Sequence, residues 1–288
     1  MTSLATELRS RFPVLRHAGL AGRYLLLAGV LVLMVQPLLW QLTTSLKARG
    51  EDLFGTGATL LPQHWSLHAY SEVMDQIPVA GYVRNSLILV VLSLVSHLVF
   101  ATAGGYMLSR PGWRGRKAVF LLLVIAMMFP FESIMVSLFL EIRDFGLMDS
   151  LTGVWLPGIV GSMNVLVMRA AFLAVPQEIE DAALLDGANE WQRFYRIFLP
   201  AGIGGIMVVG INTVIAAWDD FLWPLIVLQN EENFPLTLGL ARLQNSAFVT
   251  DERVVMAGSM ISVIPIMILF FLTQRYFYKG IEAGAVKL

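Results

Sequence analysis

Six apolar runs, each near the roughly 20 residues that carry an α-helix across a bilayer, dominate this sequence: 24–46, 86–108, 118–140, 151–173, 201–228 and 256–278. In hydrocarbon every backbone N–H and C=O needs a partner within the protein. Runs of this length therefore predict helices and not barrel strands. Charge is scarce to match: 14% of residues are charged and 57% are hydrophobic, against roughly 25% charged in an ordinary soluble domain. A typical soluble enzyme is excluded. The net charge of -1 gives no whole-chain attraction to nucleic acid, and the absence of cysteine excludes a disulfide-stapled secreted domain. The expected fold is an all-α membrane protein with six transmembrane helices. Its first run exceeds a signal-peptide core and is followed by Lys47 and Arg49, so it is expected to stay as an anchor.

The basic residues orient the spans. With the N-terminus inside, the inner segments hold 14 of the 20 Lys and Arg, including Arg9, Arg11, Arg16 and Arg23 before the first span and Arg110, Arg114, Arg116 and Lys117 after the second. This bias places both termini in the cytoplasm. The expected organisation is a cytoplasmic segment 1–23, a six-helix transmembrane domain 24–278 with an inner loop 176–200, and a cytoplasmic tail 279–288. Two outer connections, 47–85 and 229–255, are longer than hairpins require. They either face a partner or serve as solvated connectors; the second carries Glu231, Glu232, Asp251 and Glu252.

Several chemistries are missing. None of the four lysines follows a glycine, so no phosphate-binding Gly-Lys-Ser/Thr exists and any ATP drive has to come from a partner. His64 and His68 are four apart but lack a further ligand nearby, which leaves no metal site. No thiol and no Gly-x-Ser-x-Gly elbow is available for covalent catalysis, and no catalytic residue is assigned.

The inner loop is the most informative stretch. Gln177 to Leu199 reads as two short helices around a glycine turn: Pro176 suits a first turn, Gly187 can end the first helix left-handed, Asn189 can cap the second with Gln192 three residues on, and Pro200 stops it. Ile179, Ala182, Ala183 and Asp186 form one shallow face, and Trp191, Phe194, Tyr195 and Phe198 an aromatic stripe. The aromatics favour a helix lying on the bilayer. Five carboxylates beside two arginines favour a polar cleft on a protein partner.

The segment Asp181-Ala182-Ala183-Leu184-Leu185-Asp186-Gly187-Ala188, with Phe194 and Leu199-Pro200 following, resembles the Glu-Ala-Ala loop of ATP-binding-cassette importer permeases, with Asp181 in place of the usual glutamate. The run Trp218-Asp219-Asp220-Phe221-Leu222-Trp223-Pro224 resembles a segment of the carbohydrate-uptake group, with Asp219 where asparagine is usual. The tail from Gln274 to Lys287 is similar to the end of the second permease in maltose and glycerol-phosphate type systems. The resemblance runs from about residue 84 to the end. It implies that Asp181, Ala182, Ala183, Asp186, Gly187, Ala188 and Phe194 couple the chain to a cytoplasmic ATPase. The implied partners are a second homologous permease, two ATPase subunits that carry ATP and Mg, an extracytoplasmic substrate-binding protein and membrane lipid, with no nucleic acid and no cofactor in this chain.

Polar groups inside the spans need a reason, because a carboxylate at mid-membrane costs roughly 2.5–3.5 kcal/mol on insertion scales. Asn212, Trp218, Asp219 and Trp223 are candidates to line a sugar path, or else to stitch helices together; Asp220 leans to structure. Glu132 and Asn164 are further path candidates, while Gln36, Trp40, Gln41 and His97 read as packing or interhelix hydrogen-bond groups. The expected function is a permease subunit of a sugar importer. A non-sugar permease of the same kind, and an ATP-independent transporter or channel using Asp219, Asp220 and Glu132 as a proton relay, stay open as alternatives.

Overall fold

The computed structural model describes residues 13–245 and 251–285, which are mainly helical and contain no strand beyond one antiparallel bridge, Lys47 to Trp65. Expectations about Arg9, Arg11, the first 12 residues and the end of the tail lie outside them. Thirteen helical stretches are named here: α1 Pro13–Ser45, α2 His68–Gln76, α3 Val79–Ser109, α4 Arg116–Met128, α5 Phe131–Asp144, α6 Leu151–Trp155, α7 Ser162–Leu173, α8 Gln177–Leu185, α9 Glu190–Arg193, α10 Ile203–Asp219, α11 Leu222–Val227, α12 Leu236–Asn245 and α13 Glu252–Ala285.

Three helical segments are long and apolar enough to cross a membrane unbroken: Gly22–Ser45, Val79–Ser109 and Glu252–Gln274. The third, fourth and fifth expected spans are instead broken. α4 and α5 meet at 101°, where Pro130 lacks an N–H and Phe129 before it is extended. The fourth span bends by 45° between a 3-10 turn containing Pro157 and α7. In the fifth region the helix ending at Ala201 meets α10 at 72° across Gly202, and α10 stops at Asp219. The continuous helix expected over 201–228 is thus divided. Asp220 is extended, four residues before Pro224, whose ring would collide with that carbonyl if the helix continued.

The described residues form two compact units. Residues up to 73 with 251–260 make one; 74–245 with 261–285 make the other. In the first, α1 leaves Tyr24, Leu25, Leu33 and Met34 exposed, whereas Lys47 just beyond it is 2% exposed. Its ammonium donates to the carbonyls of Thr59 at 2.7 Å and Asp52 at 3.3 Å and sits 5.5 Å from the Trp40 ring centre. The carboxylate of Glu51 accepts from the backbone N–H groups of Gln63 and His64. The connection 47–66 is therefore an ordered loop wound around one cation and one anion. Among the described residues no His, Asp or Glu cluster suits a metal.

In the second unit α3 is central, with α7 and α10 packed along it. Lipid offers no hydrophobic drive for helices to associate, so close approach and van der Waals contact hold such a seam. Gly105 makes that approach possible: a Cβ there would lie 2.6 Å from the Met168 Cβ and 2.8 Å from the Arg169 backbone nitrogen. Around it Ala101, Tyr106, Met168, Phe172, Phe194, Phe198 and Val209 form a buried cluster. At the other end of α3, Asn85 donates to the carbonyls of Glu232 and Phe234, and the Ser86 hydroxyl accepts from the N–H of Leu236. The start of the connection after α11 is thereby clamped.

Asp149 clamps it from a second side. This residue takes φ 55°, a left-handed conformation that aspartate tolerates better than most. Its carboxylate accepts from the N–H groups of Asn230 at 2.9 Å and Gln229 at 3.0 Å, and its carbonyl from the Asn233 amide at 2.8 Å. The Asn230 and Gln229 N–H groups hold the Asp149 carboxyl below its ordinary value.

Two outcomes follow from these contacts. Gly105→Leu should separate α3 from α7 and lower stability by about 1–3 kcal/mol or more, read as a lower thermal midpoint in detergent, while Gly204→Ala, where a Cβ meets nothing within 4 Å, should not. Because the folded pKa of Asp149 is depressed, its contribution is complete above the ordinary aspartate pKa of about 3.9 and fades as pH falls through the folded value. Hydrogen exchange at Gln229 and Asn230, corrected for intrinsic rate, should speed up on acidification in the parent and be fast at every pH in Asp149→Ala.

Candidate functional site

The loop between α7 and α10 is built from its two caps. The N–H of Gly187, at φ 76°, donates to the carbonyl of Leu184, and the N–H of Ala188 to that of Ala183, which closes α8 with a Schellman turn. Asn189 then caps α9 in a reciprocal box: its side chain accepts from the Gln192 N–H while the Gln192 side chain accepts from its own, both at 2.9 Å. Both caps stand as the sequence reads them. The stop differs, because helix continues as a π turn over Phe194–Phe198 and through Pro200 to Ala201, and Gly202 makes the break. Pro200 stands two residues before that break.

The expected shallow face of α8 is split. Asp181, Ala182, Asp186 and Ile179 are exposed, with Leu185 the most open at 89%, whereas Ala183 is buried. Asp181 accepts from the Gln177 amide one turn earlier, so its carboxylate is held on the outer side of the helix. The aromatic stripe also divides. Phe194 and Phe198 pack inward against Tyr106, with ring centres 5.0 and 5.1 Å away, while Trp191 and Tyr195 stay exposed and stack on each other at 5.9 Å.

Beneath the loop lies a buried group of charges that sequence reasoning does not find. Glu180, 5% exposed, accepts from Arg193 at 3.0 Å and pairs with Arg110, the residue that follows α3. At the rim of this group Arg193 also pairs with the exposed Glu190, whose carboxylate accepts from the Tyr106 hydroxyl at 2.6 Å. The Arg110 guanidinium lies 4.0 Å from the Phe198 ring centre. The only local signal is the coincidence of opposite charges at 180 and 193; Arg110 comes from 70 residues away.

A second polar centre sits where α3, α7 and α10 meet. His97 Nε2 lies 2.5 Å from the carbonyl of Gly158, which can only accept, so Nε2 carries the proton. Nδ1 is then an acceptor for the Thr213 hydroxyl at 3.0 Å and the Asn164 amide at 3.1 Å. Asn164 is thus joined to His97, the interhelix hydrogen-bond group expected from sequence, and to Thr213. The other path candidates do not join them. Trp218 and Trp223 are buried and donate their indole N–H to the carbonyls of Ser262 and Gly153. Asn212, Asp219 and Glu132 are exposed and make no side-chain hydrogen bond among the described residues.

Residues 98–283 match the family described as binding-protein-dependent transport system inner membrane component. Among curated relatives, the arabinooligosaccharides transport system permease protein AraQ of Halalkalibacterium halodurans is 36% identical over 203 residues, covering 70% of this chain and 72% of its own. The inner membrane ABC transporter permease protein YcjP of Escherichia coli is 32% identical over 92% of this chain and 96% of its own. A chain of a bacterial ABC transporter that imports the acidic polysaccharide alginate superposes with a TM-score of 0.80 at 26% identity, over 91% of this chain and 97% of that one.

His97→Leu should strip partners from Gly158 and Thr213 and cost about 0.6–2 kcal/mol, the span of values for polar contacts between membrane helices. Asn212→Ala should change stability by less than about 0.5 kcal/mol, read as a thermal midpoint of the purified protein close to that of the parent. Equal effects would remove the distinction between the buried centre and the exposed candidates.

Proposed function

We propose, since the chain belongs to the family of binding-protein-dependent transport system inner membrane components, that it is one transmembrane half of an ATP-driven importer carrying a sugar or sugar derivative into the cell. The protein is a multi-pass inner-membrane permease subunit. Sugar is the cargo class because relatives such as AraQ and the lactose transport system permease protein LacG of Rhizobium radiobacter, 29% identical over 99% of this chain, are named for sugars. In this reading six spans cross the bilayer, three of them bent, and both termini are cytoplasmic. The chain performs no chemistry itself. Two partner ATPase subunits bind ATP and Mg, a second homologous permease completes the path, and a binding protein delivers substrate. An alginate importer structure of like fold, 15% identical with a TM-score of 0.63, is in complex with a substrate-bound periplasmic protein and supports the last partner.

The observation that carries this reading is the outer side of the loop between α7 and α10. Asp181, Ala182, Leu185 and Asp186 are exposed together, held by a helix whose end is fixed by the Gly187 turn. A small, acidic, partly apolar projection of this kind fits a groove on a partner ATPase, with Ala188 and Phe194 fixing its base. Closure of the ATPase dimer would push it and move α7 and α10 between outward and inward access. Exposed Asn212, Asp219 and Glu132 then face the substrate path between the two permeases, because the same groups against lipid would cost several kcal/mol. Asn164 supports that path from within.

Gly187→Pro tests the coupling role. Proline forces φ near -65° where the turn needs a positive value, so ATPase activity stimulated by substrate-loaded binding protein should be lost while the subunits still co-purify. Stimulation that survives in an assembled variant would sink the coupling reading. Uptake by this chain alone, driven by a proton gradient, would sink the ATP-driven one.

A further inference from the structure

The five side chains beneath the coupling loop form a ring that begins and ends at the C-terminal end of α3. Tyr106 lies in the last turn of α3, and Arg110 is the extended residue that follows it, its N–H donating to the carbonyls of Tyr106 and Met107. From Tyr106 the contacts run to Glu190, to Arg193, to Glu180 and back to Arg110. Two carboxylates meet two guanidiniums, so the ring is neutral. The side chains of Glu180, Arg193 and Arg110 are only 7%, 10% and 14% exposed. Both loop helices take part, α8 through Glu180 and α9 through Glu190 and Arg193.

Such a ring is not explained by stability. Removing two or three charges from water offsets most of the gain from pairing them, and apolar residues of similar size commonly do as well or better. Charge-assisted hydrogen bonds differ from an apolar seam in being short and directional. An apolar contact between two helices lets one slide on the other; this ring holds one register. By chain connectivity the loop belongs to α7 and α10 alone. The ring adds α3, and about 13 Å further along α3, at 1.5 Å per residue from Tyr106, stands His97 with its contacts to Asn164 and Thr213.

We infer that Tyr106, Arg110, Glu180, Glu190 and Arg193 are positioning residues that make α3 a driven element of the transport cycle, moving as one body with the coupling loop. The inference rests on the coupling role proposed above. It assigns to the buried Glu180 a task distinct from that of its exposed neighbour Asp181: Asp181 faces the partner, and Glu180 fixes the loop to the span that carries the intramembrane polar centre.

The test uses the full complex in lipid, with ATPase rate measured with and without substrate-loaded binding protein. The triple variant Arg110→Met, Glu180→Met, Arg193→Met replaces the buried charges by apolar groups, so its thermal midpoint should match or exceed the parent. Its stimulated-to-unstimulated ratio should nevertheless fall about tenfold, within the usual size of a coupling free energy between two sites, with the ATP concentration for half-maximal rate changed less than about twofold. Tyr106→Phe removes one hydroxyl from the ring and keeps the aromatic packing; it should lower the same ratio partially, and it decides the matter if the triple variant does not assemble. A folded triple variant, or failing that Tyr106→Phe, that is stimulated like the parent overturns the inference and leaves the proposed function intact. A parent complex that binding protein does not stimulate overturns both.

Discussion

A backbone carbonyl freed inside a bilayer has no water to turn to, and this constraint organises the broken spans. At the bend of the fourth span and at the ends of α3 and α10, a side chain from another helix meets a main-chain carbonyl. His97 binds the carbonyl of Gly158 at the bend of the fourth span, Trp223 that of Gly153 one turn earlier, and Thr237 that of Trp218 at the end of α10. Arg169 does the same for Leu108 near the end of α3. Polar residues in apolar runs invite a functional reading, yet His97, Arg169 and Trp223 are spent on satisfying main-chain carbonyls. What is left over, Asn212, Asp219 and Glu132, is a shorter and sharper set of groups for a solute.

The sequence is legible where the controlling interaction is local. Apolar runs locate the spans because length and composition alone set the cost of crossing lipid. Gly187 and the pair Asn189 and Gln192 locate the two caps because those bonds close within five residues. Breaks are harder to read. Pro224 announces a disturbance, but the chain opens four residues earlier at Asp220, and Gly202 in place of Pro200 separates α9 and its π turn from α10. The aromatic stripe misleads for a related reason: positions 191 and 195 share one side of the helix while 194 and 198 share another, and only the presence of Tyr106 decides which side is buried.

Long-range pairing is the part that no local pattern carries. Five carboxylates beside two arginines look like a repulsive loop until Arg110 arrives from the end of α3 and Tyr106 binds Glu190. Asn85, Ser86 and Asp149 are likewise unremarkable in the sequence, and each matters through partners 80 to 150 residues away: the Asp149 carboxylate accepts from the N–H groups of Gln229 and Asn230, Asn85 donates to the carbonyl of Glu232, and Ser86 accepts from the N–H of Leu236. Family likeness singles out the loop without revealing this scaffold, since Glu180, Arg193 and Arg110 are not among the motif residues that carry the resemblance.

The turn from Leu184 to Gln192 has a mechanical meaning. Its connection is short, and the donors of Gly187, Ala188, Asn189 and Gln192 are all engaged, two by carbonyls of α8 and two by the reciprocal cap. Nothing in it can extend without breaking a bond. A displacement applied to α8 is therefore delivered to α9 with little lost to bending, and the loop behaves as a strut whose compliance lies elsewhere, at Gly202 and the other breaks in the spans.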